Sequence, residues 1–215
     1  MRLIERRVYT GEPIEKGGTS IPGKVAPPIE FLWDSGYITE DMYVLDYGAG
    51  KYSRNADFLR AQGVECYAYD PFNYNGSEGW EMGTVSNKIP RAKFDVGFTA
   101  YVLNVVDEST ENYILSDIER RAKTIYHAVR GEDMLKMVQK ALARQSGAVY
   151  DWWVDHYGGD PDTSNVSDQE MMDFLYYGVK TSERQGGTFQ RWPDLGSKGY
   201  SILKRKGGSF ILYSK

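Results

Sequence analysis

The chain of 215 residues is 41% hydrophobic and 26% charged, with a formal net charge of −4 and a pI near 5.3. That is the size and make-up of one globular domain with a sizeable core, and the acidic balance argues against coating long nucleic acid through a general positive field. One cysteine, Cys66, excludes an intrachain disulfide framework and a cysteine-based zinc site. No apolar run reaches the roughly 18 residues of a membrane span, and Met1–Arg7 lacks the apolar stretch of a signal peptide. A soluble, cytoplasmic, single-domain protein is expected, with no metal and no membrane partner.

Residues 1–26 are punctuated by Gly11, Pro13, Gly17, Gly18, Pro22 and Gly23 and read as an irregular arm. Pro27-Pro28 fits a helix start, and Ile29, Phe31, Leu32, Trp33 and Tyr37 give a short apolar helix broken near Gly36. Tyr43–Leu45 is a first strand. Ser53 is placed to cap a helix over Asn55–Gln62, which Gly63 closes. Val64–Tyr69, rich in branched and aromatic residues, is a second strand that stops at Asp70-Pro71. Met82–Ser86 is a short third strand, Phe94–Leu103 a fourth strand with the turn after it, Ser109–Lys123 a helix, and Thr124–Val129 a fifth strand.

Strands alternating with helices at this spacing imply a parallel sheet covered on both faces, a doubly wound, Rossmann-like α/β fold. Beyond Gly131, Met134, Leu135, Val138, Ala141 and Leu142 mark another helix, Val149–Tyr157 is dense in aromatics, and Gly158–Asn165 is a turn-rich loop. Ser167-Asp168-Gln169-Glu170 fits a capping box for a helix carrying Met171, Met172, Phe174 and Leu175. Residues 131–195 thus read as a helical, aromatic-rich insert or lid. Tyr200–Arg205 and Ser209–Tyr213, around Gly207-Gly208, make an antiparallel hairpin that ends the sheet.

Chemistry concentrates in Val44-Leu45-Asp46-Tyr47-Gly48-Ala49-Gly50-Lys51-Tyr52-Ser53, a strand, a glycine turn and a helix start. Glycines there let a ligand approach the backbone, and Asp70 falls about 20 residues later, where nucleoside-binding folds carry a ribose-binding carboxylate. A nicotinamide dinucleotide would want Gly-x-Gly-x-x-Gly, but Ser53 holds the third place. The other reading places an acid two residues before the first glycine, as Asp46 is, and closes the sheet with an antiparallel hairpin.

These residues resemble class I S-adenosylmethionine-dependent methyltransferases. Asp46, Gly48 and Gly50 match the family's first motif, Asp70 its ribose acid, and Lys88-Ile89-Pro90 with Phe94–Asp107 the segment leading through its fourth strand. More narrowly, Tyr101–Val106, Ala128-Val129-Arg130 and Gly187-Thr188-Phe189-Gln190 resemble segments of the methyltransferases associated with DNA phosphorothioation systems. The resemblance implies S-adenosylmethionine as cofactor, held by Asp46, Tyr47, Gly48, Ala49, Gly50, Asp70, Pro71 and Phe72, with a small-molecule or nucleic-acid-linked acceptor. It implies that Asp46 orients the turn and the cofactor's amino group, that Asp70 accepts the ribose hydroxyls, and that Phe72 lies on the adenine. Tyr52, where the family commonly has a third glycine, departs from the pattern and leaves open a cofactor-binding regulatory protein without turnover. A nicotinamide-dependent oxidoreductase is the third alternative.

Tyr101 and Asn104, near the end of the fourth strand, are the candidates for acceptor contact, weighed against purely structural roles. His127 reads as a satisfied core histidine and His156 as loop-borne. Trp152, Trp153, Tyr157, Tyr176, Tyr177, Phe189 and Trp192 offer a stacking wall for a planar acceptor, against the alternative of core or lid packing. Arg120, Arg121, Lys123, Arg130, Lys136, Lys140 and Arg144 alternate with acids as a solvated face. Ala26-Pro27-Pro28-Ile29 lacks the polar residue of an Asp/Asn-Pro-Pro-aromatic signature, which counts against methylation of base amino groups.

Overall fold

The computed structural model describes residues 24–76, 78–159, 162, 165–180 and 189–215, so most of the arm read at 1–26 lies outside the described residues. A short helix, α1 (Pro27–Asp34), opens the described chain with proline at its first positions, where a missing N–H costs nothing. Then come β1 (Tyr43–Tyr47), α2 (Arg54–Ala61), β2 (Glu65–Tyr69), β3 (Phe94–Ala100), α3 (Glu108–Arg121) and β4 (Ala122–Arg130). Helices α4 (Asp133–Arg144), α5 (Ala148–Tyr157) and α6 (Asp168–Tyr177) follow. Two-residue strands β5 (Val179–Lys180) and β6 (Phe189–Gln190) pair with each other, and the hairpin is β7 (Ser201–Lys206) and β8 (Phe210–Ser214).

The main sheet has the order β2-β1-β3-β4-β8-β7. Strands β2, β1, β3 and β4 run parallel, while β8 pairs antiparallel with β4 and β7 antiparallel with β8. The doubly wound sheet with a terminal hairpin is therefore present. The period-2 alternation of the strands divides the core between its faces. Val44, Cys66, Val96 and Leu212 pack with Ile29 and Leu32 of α1 and with Ala56 and Leu59 of α2. Leu45, Tyr67 and Ile211 pack on the opposite face with Ile114 and Ile118 of α3, Val138 of α4, Trp153 of α5 and Phe174 of α6. The helices of the insert thus share a hydrophobic cluster with the sheet.

Met82–Ser86 is not a strand. Ser86 makes only single bridges to Tyr69 and Gly76, its N–H donating to Ala68 C=O and its C=O accepting from Asp70 N–H, and side chains hold other backbone groups nearby in place of a continued ladder. Arg60 donates to the carbonyls of Cys66 at 2.9 Å and Glu81 at 2.7 Å, and also to that of Gly79. Asp57 accepts from Gly83 N–H at 2.9 Å, and Asn75 accepts from Val85 N–H at 2.7 Å while donating to Gly83 C=O at 2.8 Å. Ser53 also departs from expectation. It occupies the N-cap position of α2 but in left-handed geometry (φ 45°) with no capping bond, its hydroxyl instead meeting Asp57 at 2.8 Å. The capping box of Ser167 and Glu170 is formed as read.

Candidate functional site

The carboxyl ends of β1, β2, β3 and β4 meet at a cavity of about 630 Å3. In open parallel sheets this is where ligands bind. Of the residues singled out from sequence, Tyr47, Gly48, Ala49, Gly50, Asp70, Pro71, Phe72, Tyr52 and Tyr101 line it. The floor is apolar, with Val102, Val105, Val106 and Ile114, and Lys24–Pro27 close one side. The Ala26 N–H donates to Asn55 Oδ1 at 2.9 Å, tying that stretch to α2.

The glycine turn is held by the end of β2. Gly48 and Ala49 donate their N–H groups to the Tyr69 carbonyl at 2.8 and 3.0 Å, and Gly50 donates to Asp70 Oδ2 at 3.0 Å. Gly48 has φ +86°, and a Cβ there would sit 2.5 Å from Val102 Cγ2, so only glycine fits between the turn and the cavity floor. Asp70 Oδ1 accepts from the N–H groups of Phe72 and Asn73, both at 2.8 Å, and from the Asn73 amide at 3.3 Å. The carboxylate therefore organises the turn around itself, and Oδ2, with one N–H, retains acceptor capacity.

Asp46 is placed differently from its expected role. It is fully buried, does not line the cavity, and neither carboxylate oxygen has a hydrogen-bond partner among the described residues. Strand parity puts it on the α2 side with Val44, while Leu45 and Tyr47 face the other way. Burial pushes its pKa up to about 8, with the Arg60 charge pulling in the opposite direction.

Tyr47 lines the cavity, is almost completely buried, and donates its hydroxyl to Asp117 at 3.2 Å; burial holds that phenol well above its usual range. Tyr52 is exposed, with Lys51 Nζ 5.6 Å and Arg54 Cζ 5.7 Å from its ring centroid. Tyr101 adopts φ +63°, an uncommon conformation for a bulky side chain, immediately after β3. Its phenol is raised to about 12, first by burial and then by the Asp133 charge.

Asn104 is completely buried and does not line the cavity. Its amide donates to the Arg191 carbonyl at 2.8 Å and accepts the Arg130 N–H at 2.8 Å, and its own carbonyl takes the Arg191 N–H at 2.7 Å. It is a clamp joining three segments. His127 is buried with Nδ1 2.8 Å from Thr99 Oγ1, while Nε2 has no partner among the described residues. Burial, then the Lys215 charge, lowers its pKa to about 3. His156 lies on α5, not in a loop, with its ring against those of Tyr157 and Phe174.

The stacking wall does not form at the cavity. Trp153 and Trp192 are buried in the core cluster, Trp153 lies 4.8 Å from Phe174, and none of Trp152, Trp153, Tyr157, Tyr176, Tyr177 and Trp192 lines the cavity. Among the described residues no group of three potential ligands is placed to hold a metal ion. No helix of the described residues is long and apolar enough to cross a membrane.

Two features were given no role at the site by the sequence, although Arg130 and Gln190 both fall in segments that carry the narrower resemblance. Arg130, grouped with surface cations by sequence, lines the cavity together with Gln190. Arg191 forms a buried ion pair with Glu111, which Lys198 also contacts, and donates Nε–H to the Tyr176 carbonyl at 3.0 Å. The charged residues of α3 gave no sign that Glu111 turns inward.

No family model and no curated protein matches this sequence. Among solved structures, the chain is similar to the magnesium protoporphyrin IX methyltransferase of Synechocystis PCC 6803 with bound SAH. Identity is 12%, covering 87% of this chain and 78% of that one, with a TM-score of 0.45. The 1,6-didemethyltoxoflavin-N1-methyltransferase of Burkholderia thailandensis, solved with its substrate and S-adenosylhomocysteine, gives 12% identity, 87% and 75% coverage and a TM-score of 0.49. A SAM-dependent methyltransferase of Anabaena variabilis ATCC 29413 gives 9% identity, 87% and 82% coverage and 0.44. At these identities and TM-scores the likeness carries no argument about function, and the functional reading rests on the site itself.

Proposed function

We propose that the protein binds S-adenosylmethionine in this cavity and transfers its methyl group to a small-molecule or nucleic-acid-linked acceptor. The observation that carries the reading is the Gly48–Gly50 turn docked on Asp70 at the head of a mostly apolar cavity, with a cradle at Gly48 that a Cβ would fill. The cavity volume falls within the several hundred Å3 usual for small-molecule sites. Against the dinucleotide reading, Ser53 at the third position of the glycine pattern is buried and bonded to Asp57, away from any phosphate role.

In this reading Gly48 and Gly50 admit the aminoacyl part, Oδ2 of Asp70 takes a ribose hydroxyl, and Phe72 lies beside the adenine. Tyr101 stands on the acceptor side. When bound, the sulfonium supplies an activated methyl and a neutral leaving group, so the protein's part is to hold the acceptor in line and exclude water. Asp46, which does not itself line the cavity, stands one residue before lining Tyr47 at the start of the turn. Gln190 lines the same side of the cavity as Arg130 and stands toward the acceptor. The resemblance to phosphorothioation-associated proteins favours including DNA among the acceptors tested.

Calorimetry with S-adenosylmethionine and S-adenosylhomocysteine tests the reading. Micromolar binding of both is expected, and no heat with either at millimolar concentration would sink it. Binding without label transfer to an acceptor panel that includes DNA would favour the regulatory alternative.

A further inference from the structure

The charge around the cavity is lopsided. Among the described residues Lys24, Lys51, Arg54 and Arg130 line it, and the only lining carboxylate is Asp70, whose oxygens already accept four hydrogen bonds from N–H groups. This occurs in a chain of net charge −4. Lys24, Lys51 and Arg54 are exposed at the rim, whereas the Arg130 side chain is only 30% exposed and is fixed in place. Its backbone N–H is held by buried Asn104 at 2.8 Å, its Nε donates to Asp133 Oδ2 at 3.0 Å, its Nη2 donates to the same oxygen, and its Nη1 donates to Gln190 Oε1 at 3.2 Å.

Those contacts use three of the five N–H groups of a guanidinium and leave two without a partner among the described residues. A cation held in one orientation by neighbours on both sides loses little freedom when it binds, and a guanidinium edge matches a carboxylate or phosphate. Asp133 offsets part of the charge, so the arginine is tolerated in a mostly apolar cavity before a ligand arrives.

We propose that Arg130 is the anion-recognition residue of the cavity, giving its remaining N–H groups to a carboxylate or phosphate. The anion comes either from the acceptor or from the aminoacyl tail of the cofactor. This rests on the methyltransferase reading for the identity of the two sources but not for the anion site itself.

The full-length protein and its Arg130→Gln and Arg130→Lys variants are titrated with S-adenosylhomocysteine and with 5′-methylthioadenosine, which lacks the aminoacyl tail. The protein loaded with S-adenosylhomocysteine, and the protein alone, are titrated with benzoate, benzamide and inorganic phosphate. If the cofactor tail supplies the anion, Arg130→Gln weakens S-adenosylhomocysteine at least tenfold and leaves 5′-methylthioadenosine unchanged. If the acceptor supplies it, both nucleosides bind as before, and benzoate or phosphate binding drops at least tenfold while benzamide is indifferent. Arg130→Lys keeps a charge beside Asp133 and secures a folded comparison; it is expected to fall between the wild type and Arg130→Gln in whichever arm responds. Binding of S-adenosylhomocysteine, benzoate and phosphate that is the same in all three proteins, or absent for the anions with the nucleosides unaffected, overturns the proposal. Arg130-dependent anion binding in a protein that binds neither nucleoside would overturn the methyltransferase reading alone.

Discussion

Asp70 at the end of β2 accepts the backbone N–H of Gly50 at 3.0 Å, so the acid expected to meet a ligand also fixes the turn that the ligand must approach. The two roles cannot be removed separately. Asp70→Ala strips acceptors from Gly50, Phe72 and Asn73 at once, and charge-assisted bonds of this kind suggest a loss of about 2 kcal/mol of stability together with loss of nucleoside binding. Asp70→Asn, which keeps part of the acceptor set, is expected to lose binding with a smaller stability loss. Urea unfolding beside calorimetry checks this; unchanged affinity in either variant would mean that the ribose lies elsewhere.

Asp46 makes stability depend on pH in a direction opposite to that of most carboxylates. Its folded pKa, about 8, lies above the ordinary value of 3.8, so the native state holds the proton more tightly than the unfolded chain. Its contribution is fully favourable below about pH 4 and is lost as pH rises toward 8, by up to about 1.4 kcal/mol per pH unit. Asp46→Asn should therefore melt above the wild type at pH 8, with a gap that closes on approaching pH 4. A gap constant across that range would show that the carboxyl is not held protonated.

Gly48 and Val102 should behave as a coupled pair. Gly48→Ala places a methyl against Val102 in a backbone geometry that itself costs roughly 1–2 kcal/mol for a side-chain-bearing residue, so a total loss above about 2 kcal/mol is expected. Adding Val102→Ala opens space for the methyl and should recover part of the loss. Strict additivity in a double-mutant cycle would separate the turn from the cavity floor.

Removing one member of the Glu111–Arg191 pair leaves a buried charge. Arg191→Met should cost about 3–5 kcal/mol by thermal or urea unfolding, even with Lys198 still on Glu111. Glu111→Gln combined with Arg191→Met should be more stable than Arg191→Met alone. If the single substitution proves neutral, the pair does not hold residues 191–200 against α3.

The alternation of strands and helices was open to reading because it rests on local periodicity, and so was the hairpin, whose glycines separate two branched runs. The site was partly legible. Glycine spacing marked the turn and the register of Asp70 marked its partner, yet Asp46 was assigned to the ligand although parity along β1 places it with Val44, beneath α2. The missed features depend on contacts far apart in sequence. Arg130 resembles its basic neighbours until Asn104 and Gln190 are brought beside it, and Asn104 appears as a strand-end amide until Arg191, 87 positions away, supplies its partner.

Arg60 and its loop bear on how the molecule behaves toward copies of itself. A sheet that ends in a bare strand offers a template for edge-to-edge aggregation. At β2 that edge is covered by the segment from Gly79 to Ser86, stapled by Arg60 and paired with Ala68 through its N–H to Gly79 and its carbonyl to Ser86. At the opposite end, β7 carries exposed Lys204, Arg205 and Lys206 and a register shift between Ile202 and Lys204. One margin is thus blocked by a loop and the other by charge and irregularity, which leaves strand addition disfavoured at both ends of the sheet.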